Sequence, residues 1–251
     1  MARLTRRITE LDLYTTGSDQ LGPEEVGSKV AGLNGKEFAL AYVGGSALVA
    51  GNLIQSAAQD TQFQNMTVGT AGVVGQNFLQ ITNGSTTVVP YYFKGGSIFI
   101  YTAGTDAVGD EYTITDVTGV LTTGGALNVY LDRPLRYAVT TGATVNMIKN
   151  PYNGVIQMPA STPTGAAVGI APFAASAGSS TVYATTWLQT KGLAACLSDG
   201  STFAVGSAVG TPSGTAGCVT VYAAATTKQA IGVSLEAAAN GHAIAVNLTG
   251  F

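Results

Sequence analysis

Glu111-Tyr112-Thr113-Ile114-Thr115-Asp116-Val117 alternates apolar and polar side chains near the middle of the chain. A period of two sends successive side chains to opposite faces, which is typical of a strand with one buried face. Similar runs rich in Val, Ile, Thr, Tyr and Phe recur on both sides of this one. They are Ser97–Thr102, Leu127–Leu131, Thr144–Ile148, Val182–Gln189, Gly192–Leu197, Val219–Tyr222, Ile231–Glu236 and His242–Leu248. This pattern predicts an all-β protein.

Dipeptides that tolerate positive φ punctuate these runs, as type I′ hairpin turns require. They are Asn34-Gly35, Asn83-Gly84, Asn153-Gly154, Asp199-Gly200 and Asn240-Gly241. No segment carries an apolar stripe over three clean helical turns, so we expect little helix. The fold class predicted is a Gly/Thr-rich β-barrel or sandwich body with an inserted second β unit and an extended N-terminal arm.

Ionisable side chains are scarce in the 251 residues, since only 10% are charged and the net charge is -3. An ordinary soluble domain carries about 25% charged residues. We therefore expect no catalytic site, no metal and no cofactor. The weak charge also argues against nucleic acid as a partner. With no run of 18 apolar residues we expect no membrane-spanning helix, and the basic start lacks the apolar stretch of a secretory signal.

The charges that exist are concentrated at the N-terminus, where residues 1–37 hold five cations and six anions. We predict an N-terminal arm at 1–37, a β body from 38–59 and 151–251, and an inserted β domain at 60–150. The candidate interface residues of the arm mix cations with apolar groups: Arg3, Arg6, Arg7, Leu11 and Tyr14. The alternative is a disordered tail. Trp187, the only tryptophan, is either a core anchor or an anchor of a subunit interface.

Catalytic alternatives rest on few residues. His242 is the only histidine and lacks a nucleophile elbow to serve. Cys196 and Cys218 have no metal-ligand spacing, and a buried reduced pair is favoured over a disulfide. The only clustered acids that a glycan hydrolase would use as paired carboxylates are Asp110, Glu111, Asp116 and Asp132.

The last third of the chain resembles the head decoration, or cement, proteins of tailed bacteriophages. The resemblance is carried by strand and turn patterns around one Trp-x-Gln-x-Lys-Gly element. They are Gly169–Pro172, Val182–Gly192, Ala230–Glu236 and Val246–Leu248, together with Asn150–Val155, which looks like virion proteins of the same group. It covers 38–58 and 150–251 best and is diffuse elsewhere.

This resemblance implies a β-rich protein on the outer capsid surface, made in the host cytoplasm, that clamps neighbouring capsomers together. Its partners would be the major capsid protein and copies of itself, as a homotrimer or in some cases a dimer. The family has no catalytic residues to transfer. The alternative function is a phage tail or fibre protein that binds a receptor or glycan through exposed tyrosines.

Overall fold

The computed structural model describes residues 17–18, 25–88, 91–102, 107–118, 124–178, 184–223, 228–237 and 242–251. Regular structure within these ranges is β, apart from 3-10 turns at Leu33–Gly35 and Thr61–Phe63, so the all-β prediction is confirmed. The strands are β1 Gly17–Ser18, β2 Lys29–Ala31, β3 Glu37–Val43, β4 Leu53–Gln55, β5 Met66–Thr70, β6 Phe78–Thr82, β7 Ser97–Thr102, β8 Glu111–Val117, β9 Ala126–Leu131, β10 Thr144–Ile148, β11 Asn153–Gln157, β12 Ala167–Ile170, β13 Ala184–Leu197, β14 Ala208–Gly210, β15 Thr220–Val221, β16 Ala230–Ser234 and β17 Ala243–Leu248.

Two compact units divide the chain. The first combines Met1–Ala58 with Pro151–Phe251, and we call it the split unit. The second is Gln59–Asn150, and we call it the inserted unit because its sequence interrupts the first.

The inserted unit is a closed barrel of six antiparallel strands in the order β10-β5-β6-β9-β8-β7. Alternate residues of its strands point inward, as the period of two predicts, with one interruption in β8. The aromatic rings of Phe63 and Phe93 pack edge to face in this core, with centroids 4.6 Å apart. Closure pairs every strand on both sides, which removes the exposed edges at which sheets associate.

The alternation of β8 is interrupted once, which the sequence analysis did not predict. Ile114 lies opposite Leu131 of β9, whereas the next paired residue is Asp116, opposite Tyr130. Thr115 is therefore the extra residue of a β-bulge. The bulge leaves Thr115 and Asp116 both exposed and returns Val117 to the core.

The split unit contains a ring of five strands, β3-β11-β4-β12-β13, which closes because β13 pairs back onto β3. The β3–β11 pair is parallel, and the other four pairs of the ring are antiparallel. Small residues such as Ala39 and Ala41 fill its interior with Leu188. Small side chains suit this interior because five strands enclose little space.

β13 runs unbroken for 14 residues and serves two partners, although its sequence reads as two separate runs. Its first half pairs with β3, and from Gly192 onward it pairs with β17. Gly192 has φ of 82° at this change, which favours glycine. The second half of β13, with β17, β16, β14 and β15, encloses a further core; we call these strands the C-terminal lobe. A parallel bridge between Ser198 and Val219 connects its two ends.

The predicted boundary of the arm at residue 37 differs from the structure. β2 pairs with β3 across a turn in which Asn34 and Gly35 both have positive φ, as predicted for that dipeptide. The end of the segment 1–37 therefore belongs to the sheet. Charge density misplaces the boundary because the edge strand β2 and the start of β3 also carry charged side chains, here Lys29 and Glu37. The turn predicted at Asn153-Gly154 is wrong, since these residues begin β11.

Candidate interaction surface

The interface residues predicted in the arm, Arg3, Arg6, Arg7, Leu11 and Tyr14, lie outside the described residues. Their role in binding stays a prediction. Trp187 is the remaining candidate, and the structure places it in the first half of β13.

The Trp187 side chain of β13 packs against side chains of β3, on the opposite face of these strands from Ala39, Ala41 and Leu188. It lies opposite Leu40 of β3, and together with Phe38 these side chains form a small buried cluster. The indole is only 1% exposed, which agrees with the core alternative and leaves no ring surface for a partner to contact. Its Nε1–H has no hydrogen-bond partner among the described residues, which is costly for a buried donor.

The two cysteines and the histidine come from segments that meet at one end of the C-terminal lobe, since Ser198 pairs with Val219 and its amide donates to the His242 carbonyl. Cys196 and Cys218 are free and buried, as the sequence favours. Burial raises the pKa of the Cys196 thiol to about 12, so this sulfur is a poor nucleophile at neutral pH. His242 is exposed at the start of β17. Among the described residues, no group of three or more His, Cys, Asp or Glu side chains is arranged to hold a metal ion.

The clustered acids of the inserted unit are each engaged in local contacts. Asp110 accepts a hydrogen bond from the Tyr112 hydroxyl, and Asp132 accepts one from the Thr113 amide at 3.0 Å. Asp116 accepts from the amide of the next residue in β8, and Glu111 accepts from the Ser97 hydroxyl. These bonds give each carboxylate a structural role at a turn or strand end.

The outward side of the C-terminal lobe carries exposed apolar residues on β13 and β16, with the polar Asn247 of β17 between them. Leu193 of β13 lies opposite Asn247 of β17, which in turn lies opposite Val233 of β16. Leu193 is 48% exposed although its neighbours Ala194 and Cys196 belong to the core. Neighbouring strands are about 4.8 Å apart, so Leu193 and Val233 are separated by about 10 Å.

A second row lies beside the first. Ala195 of β13 is opposite Ala245 of β17, whose carbonyl accepts a hydrogen bond from the Leu235 amide at 2.9 Å. Val205 lies near Leu235, because the amide of the next residue, Gly206, donates a hydrogen bond to the Ser234 carbonyl at 2.8 Å. At 69% exposure, Val205 is the most exposed large apolar side chain of the described residues. We call Leu193, Ala195, Val205, Val233 and Leu235 the apolar face.

Charged groups near the apolar face already have partners. The Lys191 ammonium lies 3.0 Å from the Glu37 carboxylate, and Glu236 accepts a hydrogen bond from the Ala245 amide at 2.7 Å. The Lys191 charge is therefore already paired when this surface is covered, whereas Glu236 keeps a hydrogen bond without a cation among the described residues. The face could not be predicted from the sequence, because its residues come from β13, β16, the residue after β16 and the turn before β14, which only strand pairing brings together.

Lys149 is the most perturbed cation of the inserted unit. Its Nζ lies 3.4 Å from the centroid of the Tyr92 ring. Burial lowers the pKa of Lys149 to about 8, while the Asp60 carboxylate acts in the opposite direction. Asp60 is fixed by hydrogen bonds from the Gln62 amide and the Thr86 hydroxyl. The sequence signal for this site is weak, since Lys149 simply follows an apolar run.

No family model, no curated protein and no solved structure matches this chain. Within the described part of the chain, no helix has the length and apolar character needed to cross a membrane.

Proposed function

We propose that the protein is a structural component of a phage virion, which binds the outer capsid surface and cements neighbouring capsomers against the pressure of the packaged genome. The resemblance of its last third to head decoration proteins motivates this proposal. The observation that carries it is the apolar face, because exposed Leu, Val and Ala side chains around the uncharged Asn247 on paired β-strands suit close packing against another protein.

The energetics of the apolar face favour repeated contacts over a single one. Complete burial of an exposed Leu or Val contributes about 1.5–3 kcal/mol. Leu193, Val205, Val233 and Leu235 are each partly buried already, so about 1 kcal/mol remains for each, or about 4 kcal/mol together. Such a contact is weak alone. A homotrimer, or a dimer, that presents several copies to the major capsid protein would bind far more tightly through avidity.

Rigidity of the C-terminal lobe supports the same function. Leu193 and Val233 lie on strands whose inward neighbours are buried, and β13 also forms part of the five-stranded ring. Little conformational entropy is then lost when the face is covered. A cement protein needs this property because each small contact must contribute its full energy.

The test is binding of the purified chain to undecorated heads of the phage that encodes it. We expect the wild-type chain to co-sediment in a fixed ratio to the major capsid protein. Leu193→Glu should lower the affinity by about tenfold or more per contact, because burying an unpaired carboxylate costs over 1.4 kcal/mol. Val74→Glu, at an exposed valine of the inserted unit, is the matched control and should bind as wild type. Absence of wild-type co-sedimentation, or equal losses in both variants, would refute the proposal.

The arm is tested separately by deleting residues 1–16, which leaves every described strand intact. If the arm docks on the capsid as predicted, this deletion weakens head binding without changing the far-UV circular dichroism. Immunogold labelling of intact particles distinguishes the tail or fibre alternative, because label on the tail would favour that function and label on the head favours cementing.

A further inference from the structure

The outer surface of the inserted barrel at β6, β8 and β9 differs in chemistry from the apolar face. Phe78 of β6 lies opposite Tyr130 of β9, and their ring centroids are 6.1 Å apart with planes inclined by 47°. Tyr130 is 38% exposed, and Phe78 is half-buried beside it. The pair forms an aromatic platform on a closed, rigid barrel.

A row of amides runs beside this platform, two residues along the same strands. Gln80 lies opposite Asn128 and donates its Nε2–H to the Asn128 Oδ1 at 3.0 Å. The Thr70 hydroxyl donates to the Gln80 Oε1 at 2.6 Å. These bonds fix both amide planes. The Asn128 Nδ2 keeps its donors for other use, since no hydrogen bond from it is present among the described residues.

The bulge in β8 supplies a carboxylate at the other side of the platform. Because Thr115 is the extra residue, Asp116 lies opposite Tyr130 and faces outward; a regular strand would have placed Thr115 there. The Val117 amide donates to the Asp116 Oδ1 at 2.8 Å, which fixes the carboxylate. The Oδ2 atom accepts no hydrogen bond within the described part of the chain. Bulges commonly re-aim side chains in this way at binding sites.

We propose that this surface, made by Tyr130, Phe78, Asn128 and Asp116, binds a pyranose sugar of an exposed polysaccharide. A pyranose has an apolar C–H face, which packs on an aromatic ring, and hydroxyl groups around its rim. The Asn128 Nδ2 donates to one hydroxyl oxygen, and the Asp116 Oδ2 accepts from another hydroxyl. Residues two apart along a strand are separated by about 7 Å, so the surface spans one or two sugar rings.

Other ligand classes fit less well. A nucleic acid would meet the Asp116 carboxylate, which repels phosphate, and the residues that form the surface include no cation. A protein partner would cover the amides and the carboxylate at a desolvation cost. Sugar hydroxyls replace water at both groups without that cost. The site belongs to the inserted unit and its binding does not depend on the capsid function proposed above.

Saturation-transfer NMR on the full chain tests this proposal with millimolar methyl α-mannopyranoside, methyl β-galactopyranoside, N-acetylglucosamine and maltotriose as probes. We expect transfer to the C–H protons of at least one probe. Tyr130→Ala should abolish this transfer, while Tyr101→Ala, at an exposed tyrosine of β7 in the same barrel, should leave it unchanged. Asp116→Asn keeps an acceptor for the Val117 amide and should weaken binding by about tenfold, as expected for one charge-assisted hydrogen bond.

Transfer to none of the four probes would overturn the proposal, as would equal binding by wild type and Tyr130→Ala. Far-UV circular dichroism checks that each variant is folded. If Tyr130→Ala does not fold, Asn128→Ala decides in its place, because Asn128 is only half-buried and loses a single side-chain bond. Unchanged transfer in both Asn128→Ala and Asp116→Asn would then refute the site.

Discussion

Trp187 offers the sharpest test of the packing described here, because its size and its unpartnered N–H act in opposite directions. The indole fills a small cluster with Phe38 and Leu40 and is 1% exposed. Its Nε1–H has no hydrogen-bond partner in the part of the chain that the structure describes. Two substitutions separate these effects. Trp187→Ala removes both the ring and the N–H, whereas Trp187→Phe removes the N–H and keeps most of the apolar contact.

The expected magnitudes follow from burial. Truncating a buried Trp to Ala costs about 3–5 kcal/mol of unfolding free energy. An unsatisfied buried donor lowers the unfolding free energy by about 1–3 kcal/mol. Both variants lack the indole N–H, so neither has this loss of stability. We therefore expect Trp187→Ala to lower the unfolding free energy by about 3 kcal/mol, the lower end of the range for a buried Trp. Trp187→Phe should lie within about 1 kcal/mol of wild type, because the recovered cost offsets the smaller ring.

Urea unfolding followed by far-UV circular dichroism measures both values, since the variants contain no tryptophan to report by fluorescence. Tyr101→Phe, at an exposed tyrosine of the inserted unit, is the control for a change that should have no effect. If Trp187→Phe is as damaging as Trp187→Ala, the N–H has a partner and the reasoning is wrong. If Trp187→Ala stays folded with unchanged stability and loses only self-association, the core assignment of the tryptophan is wrong.

Three further predictions concern backbone, thiol and ammonium groups. Gly217→Ala should cost about 2–4 kcal/mol by thermal unfolding, because φ is +72° and a Cβ would clash with the buried Asn52 amide and lie 2.7 Å from the Gln157 Nε2. Gly214→Ala, with open space around it, should be nearly neutral. The Cys196 thiol should resist a disulfide reagent at pH 8, because burial raises its pKa to about 12. It should react once urea unfolds the chain. Reaction of Cys196 in the folded protein would contradict its burial. Lys149 has a folded pKa of about 8, lowered from 10.5, so the unfolded chain holds the proton more tightly. The free energy of unfolding of the wild type should therefore rise between pH 8 and 10 relative to that of Lys149→Met. The urea midpoints of both proteins are measured across this range, and an equal dependence on pH in the two would disprove the prediction.

Much of the inserted unit follows from local pattern. The period-two runs at β8, β9 and β10 predict one buried and one exposed face, and the barrel has both. The platform of Phe78 and Tyr130 could not be predicted in the same way. Those residues are 52 positions apart, and their register depends on which strands pair. The bulge at Thr115 is likewise absent from the pattern, because it appears only when β8 is aligned with β9.

Alternation and composition are enough to predict that this chain forms β-strands, which face of β8, β9 and β10 is buried, and that few ionisable groups are present. These properties are local, because alternation and composition act over neighbouring residues. That β13 completes a five-stranded ring and then pairs with β17, and which exposed residues lie side by side, depends on contacts between distant parts of the chain. Any two strands with apolar faces can pair, and the choice among partners is made by ring closure and by how side chains fill the enclosed core.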